Sequence, residues 1–375
     1  MKFSIDRADL FKSLAHVQSV VEKRNTIPVL GNVLIEVDAS AIKMTATDME
    51  IAVVEVLSGA TIARGGKTTV PAAMLHDIVR KLPDGASIEF DHKGDNAPLS
   101  IKSGRYKTTI AVLPADDFPM MTGGNQPHKF SIPASTIVGM ISRTRFAIST
   151  EDTRYYLCGL YMHCATQDGV AVLRAAATDG HRLALASCPL PDGASSMPGV
   201  ILPRKTVNEL RKLADECSGN VSVALSDTKV TFDFGAVSLT SKLIDGSFPE
   251  YERIIPKHND KTISVRNADL VGAVSRVSAI SNDRARAVKL DFVKNGLVVS
   301  AAGRDDTAAS EELDDTAVEY AGDAVSIGFQ SRYLSDVTDQ ICDTVQFVIS
   351  DGSGPAIIRD VSMPDVLYIL MPMRV

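Results

Sequence analysis

Lys2-Phe3-Ser4-Ile5 recurs as Lys129-Phe130-Ser131-Ile132, and Ile263-Ser264-Val265 is a weaker third copy. Aligned on Phe3, Phe130 and Ile263, the copies lie 127 and 133 residues apart. Spacings of that size mark repeated domains, not solenoid units. Each copy leads into a run with apolar residues at helical spacing. These are Leu10, Leu14, Val17 and Val21, then Ile137, Ile141 and Ile148, then Leu270, Val274 and Val277. Ala8-Asp9-Leu10 answers Ala268-Asp269-Leu270. A second mark falls mid-repeat. Val70-Pro71 and Leu202-Pro203 precede short amphipathic runs, with proline at a helix start, and Phe329-Gln330 holds the same place without the proline. A third mark closes the repeats, as Asp116-Asp117-Phe118-Pro119 and Asp245-Gly246-Ser247-Phe248-Pro249. Three marks in one order predict a triplicated domain, with boundaries near 1–120, 129–252 and 262–375.

Each repeat reads as strand, helix, strands, helix, strands. The second helices carry Leu75, Ile78 and Leu82, then Val207, Leu210 and Ala214, then Leu334, Val337 and Ile341. Between the helices lie β-rich runs broken by Asp168-Gly169, Asp179-Gly180 and Asn295-Gly296, dipeptides suited to tight hairpins. The predicted class is α+β, with antiparallel sheets and two helices per repeat.

The 375 residues are 45% hydrophobic and 23% charged, an ordinary globular balance with room for two or three domains. No run approaches the ~18 apolar residues of a membrane span, and the start lacks the apolar core of a signal peptide. Five cysteines, with no C-x-x-C pair, disfavour a disulfide framework and a zinc ribbon, and the expected home is the reducing cytoplasm.

Net charge is −7, so the chain as a whole is no basic coat for nucleic acid. The predicted helices (6–24, 72–81, 134–149, 204–216, 267–286 and 330–341) nevertheless hold sixteen Lys/Arg against eleven Asp/Glu. Lys12, His16, Ser19 and Lys23 share one helix face, as do Lys205, Asn208 and Lys212. Arg143 and Arg145 lie in a segment with no acid. One such face is ordinarily just solvated. Six facing one way make a weakly basic layer for backbone phosphates, with no sequence readout.

Motifs for catalysis are missing. Gly65-Gly66-Lys67-Thr68 lacks the first glycine of a P-loop, and Pro71 interrupts any immediate helix. Cys158, His163 and Cys164 sit on an alternating strand with no second pair to complete a metal site. Asp116-Asp117, Asp305-Asp306 and Asp314-Asp315 are adjacent pairs, which on a strand point to opposite faces. The alternatives left open are a magnesium-dependent nucleic-acid enzyme and a β-rich scaffold.

Several phrases together resemble the bacterial DNA polymerase III β subunit family, the sliding clamps, over the whole chain. They are Ile27-Pro28-Val29-Leu30-Gly31-Asn32, Thr47-Asp48-Met49-Glu50, Leu113-Pro114-Ala115-Asp116-Asp117-Phe118-Pro119 and Arg154-Tyr155-Tyr156-Leu157. Thr178-Asp179-Gly180-His181-Arg182-Leu183, Ser241-Lys242-Leu243-Ile244-Asp245-Gly246 and Met371-Pro372-Met373-Arg374 continue the match. The resemblance implies a DNA clamp fold of three domains, closed into a ring by a head-to-tail dimer. It implies a non-catalytic processivity factor, without cofactor, that encircles duplex DNA. Implied partners are the replicative polymerase, the clamp loader, and other clamp-motif proteins such as repair polymerases, mismatch-repair proteins and ligase.

By the same resemblance, a peptide groove uses Leu157, Thr178, Gly180, His181, Arg182, Leu183, Pro249, Arg253 and Ile254, with Tyr333, Ser353, Met371, Pro372, Met373, Arg374 and Val375. Arg182 is expected at the rim, and the methionines are expected to form an adaptable pocket. The ring contact is expected from Arg105, Lys107 and Ile110 against Ala279, Ile280, Asp305 and Asp306. DNA-facing candidates are Arg24, Arg80, Arg143, Arg204, Lys205 and Arg276. Val375 stands where leucine is common in the family, and Cys158 where asparagine is.

Overall fold

The structure, a computed structural model, describes residues 1–22, 26–94, 97–280, 287–303 and 307–374. The candidates Arg24, Asp305, Asp306 and Val375, and Lys23 of the first helix face, lie outside the described residues.

Helices α1 (Arg7–Gln18), α3 (Ala134–Thr144) and α5 (Asn267–Ser278) follow the three repeat openings, and α2 (Ala72–Lys81), α4 (Arg204–Asp215) and α6 (Ser331–Thr338) follow the mid-repeat marks. The opening strands pair alike, antiparallel to the strand after the second helix: Phe3 opposite Phe90, Phe130 opposite Val223, and Ile263 opposite Phe347. The first helices are shorter than predicted. Past α1 and α3 the apolar pattern continues in a turn and a 3₁₀ segment, where Val20 and Ala147 become fully buried. In α2 the core position is Val79, with Ile78 only half-buried. Asp168 and Gly169 form a two-residue loop, both with positive φ. At Asn295-Gly296 the loop is instead Lys294-Asn295, because Gly296 already pairs with Val293.

The chain forms two compact units. The first comprises 1–138, 191–198 and 205–243, and the second comprises 139–190, 199–204 and 244–375. Sheets cross repeat boundaries inside each unit. In the first, an eight-stranded sheet runs His128–Pro133, Asn220–Leu225, Lys229–Asp233, Val237–Lys242, Ile51–Leu57, Ile42–Thr47, Asn32–Val37, Gly66–Pro71. Its midpoint is a joint, where the last strand of repeat two lies on Ile51–Leu57 of repeat one with Leu239 opposite Val53. The second unit contains the same joint between repeats three and two. There Val366–Leu370 lies on Arg182–Pro189, and Tyr368 stands opposite Ala184.

Two sheets end without such a partner. The five-stranded sheet of repeat one ends at Tyr106–Ile110, and the four-stranded sheet of repeat three ends at Ala308–Leu313. Tyr106–Ile110 is the repeat-one counterpart of Val237–Lys242 and Val366–Leu370. Ala308–Leu313 is the repeat-three counterpart of Ile51–Leu57 and Arg182–Pro189. Exposed strand edges of this kind present unpaired backbone groups.

Candidate functional site

The second joint gathers most of the predicted groove. Its centre is the turn from Thr178 to Arg182. Thr178 Oγ1 donates to Arg182 O at 2.7 Å, and the Gly180 N–H donates back to Thr178 Oγ1 at 3.1 Å. Asp179 Oδ1 accepts from the N–H groups of His181 and Arg182. Gly180 has φ +89°, and a Cβ there would stand 2.7 Å from Arg154 Nη1. Glycine therefore serves two ends, a left-handed turn and close approach of Arg154.

Arg182 is not a rim charge. Its side chain is 7% exposed, with Nε on Asp179 Oδ2 at 3.1 Å, Nη1 on Asp336 Oδ2 at 2.5 Å and Nη2 on Phe146 O at 2.7 Å. The guanidinium carbon stands 4.5 Å from the Tyr333 ring centre and 5.1 Å from that of Phe146. Two carboxylates, a carbonyl and two rings offset the desolvation that a lone buried charge would suffer. His181, exposed, stacks on Tyr333 with ring centres 5.7 Å apart.

The C-terminal residues close one side. The Met371 N–H donates to His181 O at 2.9 Å, and the Met373 N–H to Gly328 O at 2.7 Å. Met371, Pro372 and Met373 are half-buried, and Arg374 is exposed. Leu183 lies in an apolar cluster with Leu185, Tyr251 and Ile369, and Ile254 packs on its edge. Leu157 and Thr178 are buried, and Pro249 O accepts from the Tyr251 N–H. Two predicted residues are peripheral in character. Arg253 is 81% exposed and paired with Glu250, and Ser353 donates its N–H and hydroxyl to Asp351 Oδ1 in an exposed turn. Sequence reasoning missed Phe146 and Asp336. The available signal was Asp336 lying three positions after Tyr333 on one helix face.

The first joint shows the same scaffold without this site. Thr47-Asp48-Met49-Glu50-Ile51 repeats the turn bond for bond. Thr47 Oγ1 donates to Ile51 O, Met49 N–H to Thr47 Oγ1, and Glu50 and Ile51 N–H groups to Asp48 Oδ1. Met49 has φ +74°, as Gly180 has +89°, and the Lys242 N–H donates to Glu50 O as Met371 does to His181. The side chains differ. Ile51, Thr206, Ser19 and Glu209 stand where the second joint has Arg182, Tyr333, Phe146 and Asp336. Thr206 bonds Ser241 at 2.6 Å, and Ser19 donates to Glu209 at 2.5 Å.

The expected basic face of α1 is spent on this first joint. Lys12 pairs with Glu216, and His16 lies 2.9 Å from Glu55 and 3.2 Å from Glu216. Lys205 pairs with the buried Asp48, and Arg276 with Glu311. Burial alone pushes the His16 pKa down, but hydrogen bonds and charge from Glu55 and Glu216 outweigh it and hold the pKa above the usual value. A raised folded pKa means stabilisation that is complete below the unfolded value of about 6.5 and is lost as pH rises through the folded one. Native protein should therefore melt above His16→Gln at pH 6, by about 3 °C per kcal/mol of linkage. The difference should shrink by pH 9. A gap that does not change with pH would contradict the charged pairing.

The other DNA-facing candidates are dispersed. Arg80 pairs with Asp77 on its own helix, Arg204 reaches Ser149 O, and half-buried Arg143 lies on Met363 sulfur. Of the ring-contact candidates, Arg105, Lys107 and Ala279 are exposed, Ile280 is half-buried and Ile110 is buried. Lys67 lies in a strand and pairs with Asp116, so Gly65–Thr68 is no phosphate cradle. His163 bonds Tyr251 OH at 2.8 Å, a packing role. Among the described residues no His/Cys/Asp/Glu group has metal-site geometry, and no helix is long and apolar enough to cross a membrane.

Three family models match in succession: the DNA polymerase III beta subunit N-terminal domain over 1–122, its central domain over 131–250 and its C-terminal domain over 252–374. The beta sliding clamp of Caulobacter vibrioides is 44% identical over 376 residues, covering all of both chains. A crystal structure of the C. crescentus beta sliding clamp superposes with a TM-score of 0.96 at 44% identity, covering 100% of this chain and 99% of that one. A sliding clamp from Bartonella birtlesii bound to griselimycin gives 0.95 at 45% identity, with both chains fully covered. The repeated fold, the paired joints and these full-length matches place the chain in the DNA polymerase III beta subunit family, that of the beta sliding clamps.

Proposed function

We propose that two copies close head to tail into a ring around duplex DNA, and that the second joint tethers the polymerase to it. One observation carries the ring: two internal joints are built alike, and the two strands that would make a third are left as edges. Register follows from the internal pairs. Val237 stands opposite Glu55 and Val366 opposite Ala186, so Tyr106 of one copy would face Glu311 of the other. Lys107 would then face Ser310, and Ile110 would face Thr307. Arg105 and Lys107 would run beside Glu312, so opposite charge helps set orientation. This heterologous contact closes because the fold supplies it twice per dimer.

Function in such a ring is topological and non-catalytic. DNA contact would be weak and backbone-only, since Lys205 and Arg276 are already held by carboxylates. Arg80, Arg143 and Arg204 would contribute modest phosphate contacts. The groove would take short linear motifs from the replicative polymerase and clamp loader, and from repair polymerases, mismatch-repair proteins and ligase, in the cytoplasm on the nucleoid. The domain limits 1–120, 129–252 and 262–375 serve as the working division. We take griselimycin, which the Bartonella clamp binds, to occupy this groove and use it as the probe.

Deleting Met371–Val375 removes pocket side chains while leaving both edge strands in place. The expected result is a dimer with griselimycin affinity lowered about 100-fold and no stimulation of long primer-extension products by the polymerase. Full affinity and full stimulation in the truncated protein would place the groove elsewhere.

A further inference from the structure

The first joint holds together without a buried guanidinium, so the four-residue cluster at the second joint is not needed to join two repeats. The cluster is Phe146, Arg182, Tyr333 and Asp336, and its counterparts are Ser19, Ile51, Thr206 and Glu209. Ile51 and Thr206 are each 1% exposed, so the smaller set packs as well as the larger one. Something other than cohesion accounts for the arginine. Its effect is on the groove wall: the guanidinium lies against Tyr333, Tyr333 carries the His181 ring, and the His181 carbonyl holds Met371.

We propose that Asp336 is a positioning residue of the groove, fixing Arg182 between Phe146 and Tyr333 so that the Tyr333 and His181 rings are set before a partner arrives. The inference rests on the groove reading above. Asp179 alone cannot do this, since it bonds Nε from within the same turn and moves with it. Asp336 lies on α6, 154 residues away, and ties the turn to the helix that carries Tyr333. With the rings held in advance, less side-chain freedom is lost on binding. Asp336→Asn keeps the shape but weakens the charged bond. Asp336→Glu restores charge on a longer arm.

The test uses the full-length dimer with griselimycin as probe, by titration calorimetry. Asp336→Asn should bind about tenfold more weakly, and Asp336→Glu should recover most of the loss. Dimer mass should not change. The NMR signals of the His181 ring should lose the ring-current shift from Tyr333 in Asp336→Asn and regain it in Asp336→Glu, which a merely cohesive role would not produce. Phe146→Leu keeps both carboxylates and removes one ring. It should also weaken binding, and it carries the test should Asp336→Asn fold poorly. Native affinity in Asp336→Asn, or in Phe146→Leu if that is the variant that folds, would overturn the inference. Failure of the native protein to bind griselimycin would instead remove the groove reading, and this inference with it.

Discussion

Ile280→Asp should turn the protein into monomers. Ile280 follows α5 where Val20 follows α1 and Ala147 follows α3, and both of those are fully buried at internal joints. In the single chain Ile280 is only half-buried, as an apolar residue waiting for the third joint would be. Its neighbour Ala279 matches Ser19, which bonds Glu209 on the joined repeat's second helix, and Phe146, whose ring lies 5.7 Å from that of Tyr368 on the joined repeat's last strand. A carboxylate at 280 would be desolvated where the two internal joints bury Val20 and Ala147. Burying an unpaired charge costs about 3 kcal/mol or more. The two-fold ring contains the site twice, so dimer dissociation should strengthen by roughly four orders of magnitude. Sedimentation should show the 40.1 kDa chain in place of a dimer of about twice that mass. Val170→Asp, at an exposed hairpin tip, should leave the dimer intact. Dimers of Ile280→Asp at micromolar concentration would show that the edges meet some other way.

The triplication was legible because each repeat opens with the same local phrase, and helical or alternating apolar spacing follows it. Which strand lies beside which across a repeat boundary was not. Alternation sets the face a residue takes but does not name the neighbour, and nothing in Val237–Lys242 points to Ile51–Leu57 more than 180 residues earlier. The groove residues are proposed from resemblance, and one of them, Arg182, is buried where a rim position is expected. Arg182 follows a Gly turn, where a charge normally ends in water. Its burial depends on acceptors 3, 36 and 154 positions away. The face of Lys12, His16 and Ser19 was misjudged for the same reason. Lys12 stays exposed beside Glu216, while His16 and Ser19 turn to Glu55, Glu209 and Glu216 within the joint. Helix ends were overdrawn, since the apolar pattern continues past α1 and α3 into tighter turns that bury Val20 and Ala147.

Retention on DNA should depend on the topology of the DNA. A protein held by phosphate contacts loses affinity steeply as salt rises, because each contact releases counterions. A closed ring has no such dependence once it is loaded. With several candidate cations already occupied by Asp48, Asp77 and Glu311, direct attraction should be too weak to hold the protein by itself. The decisive measurement loads labelled protein onto a nicked circle with a clamp loader, washes at high salt, and cuts half the sample once before gel filtration. The ring account predicts protein co-eluting with the circle after the wash and almost none with the linear DNA, from whose ends it slides. Equal retention on both forms, or loss from both at high salt, would contradict encirclement.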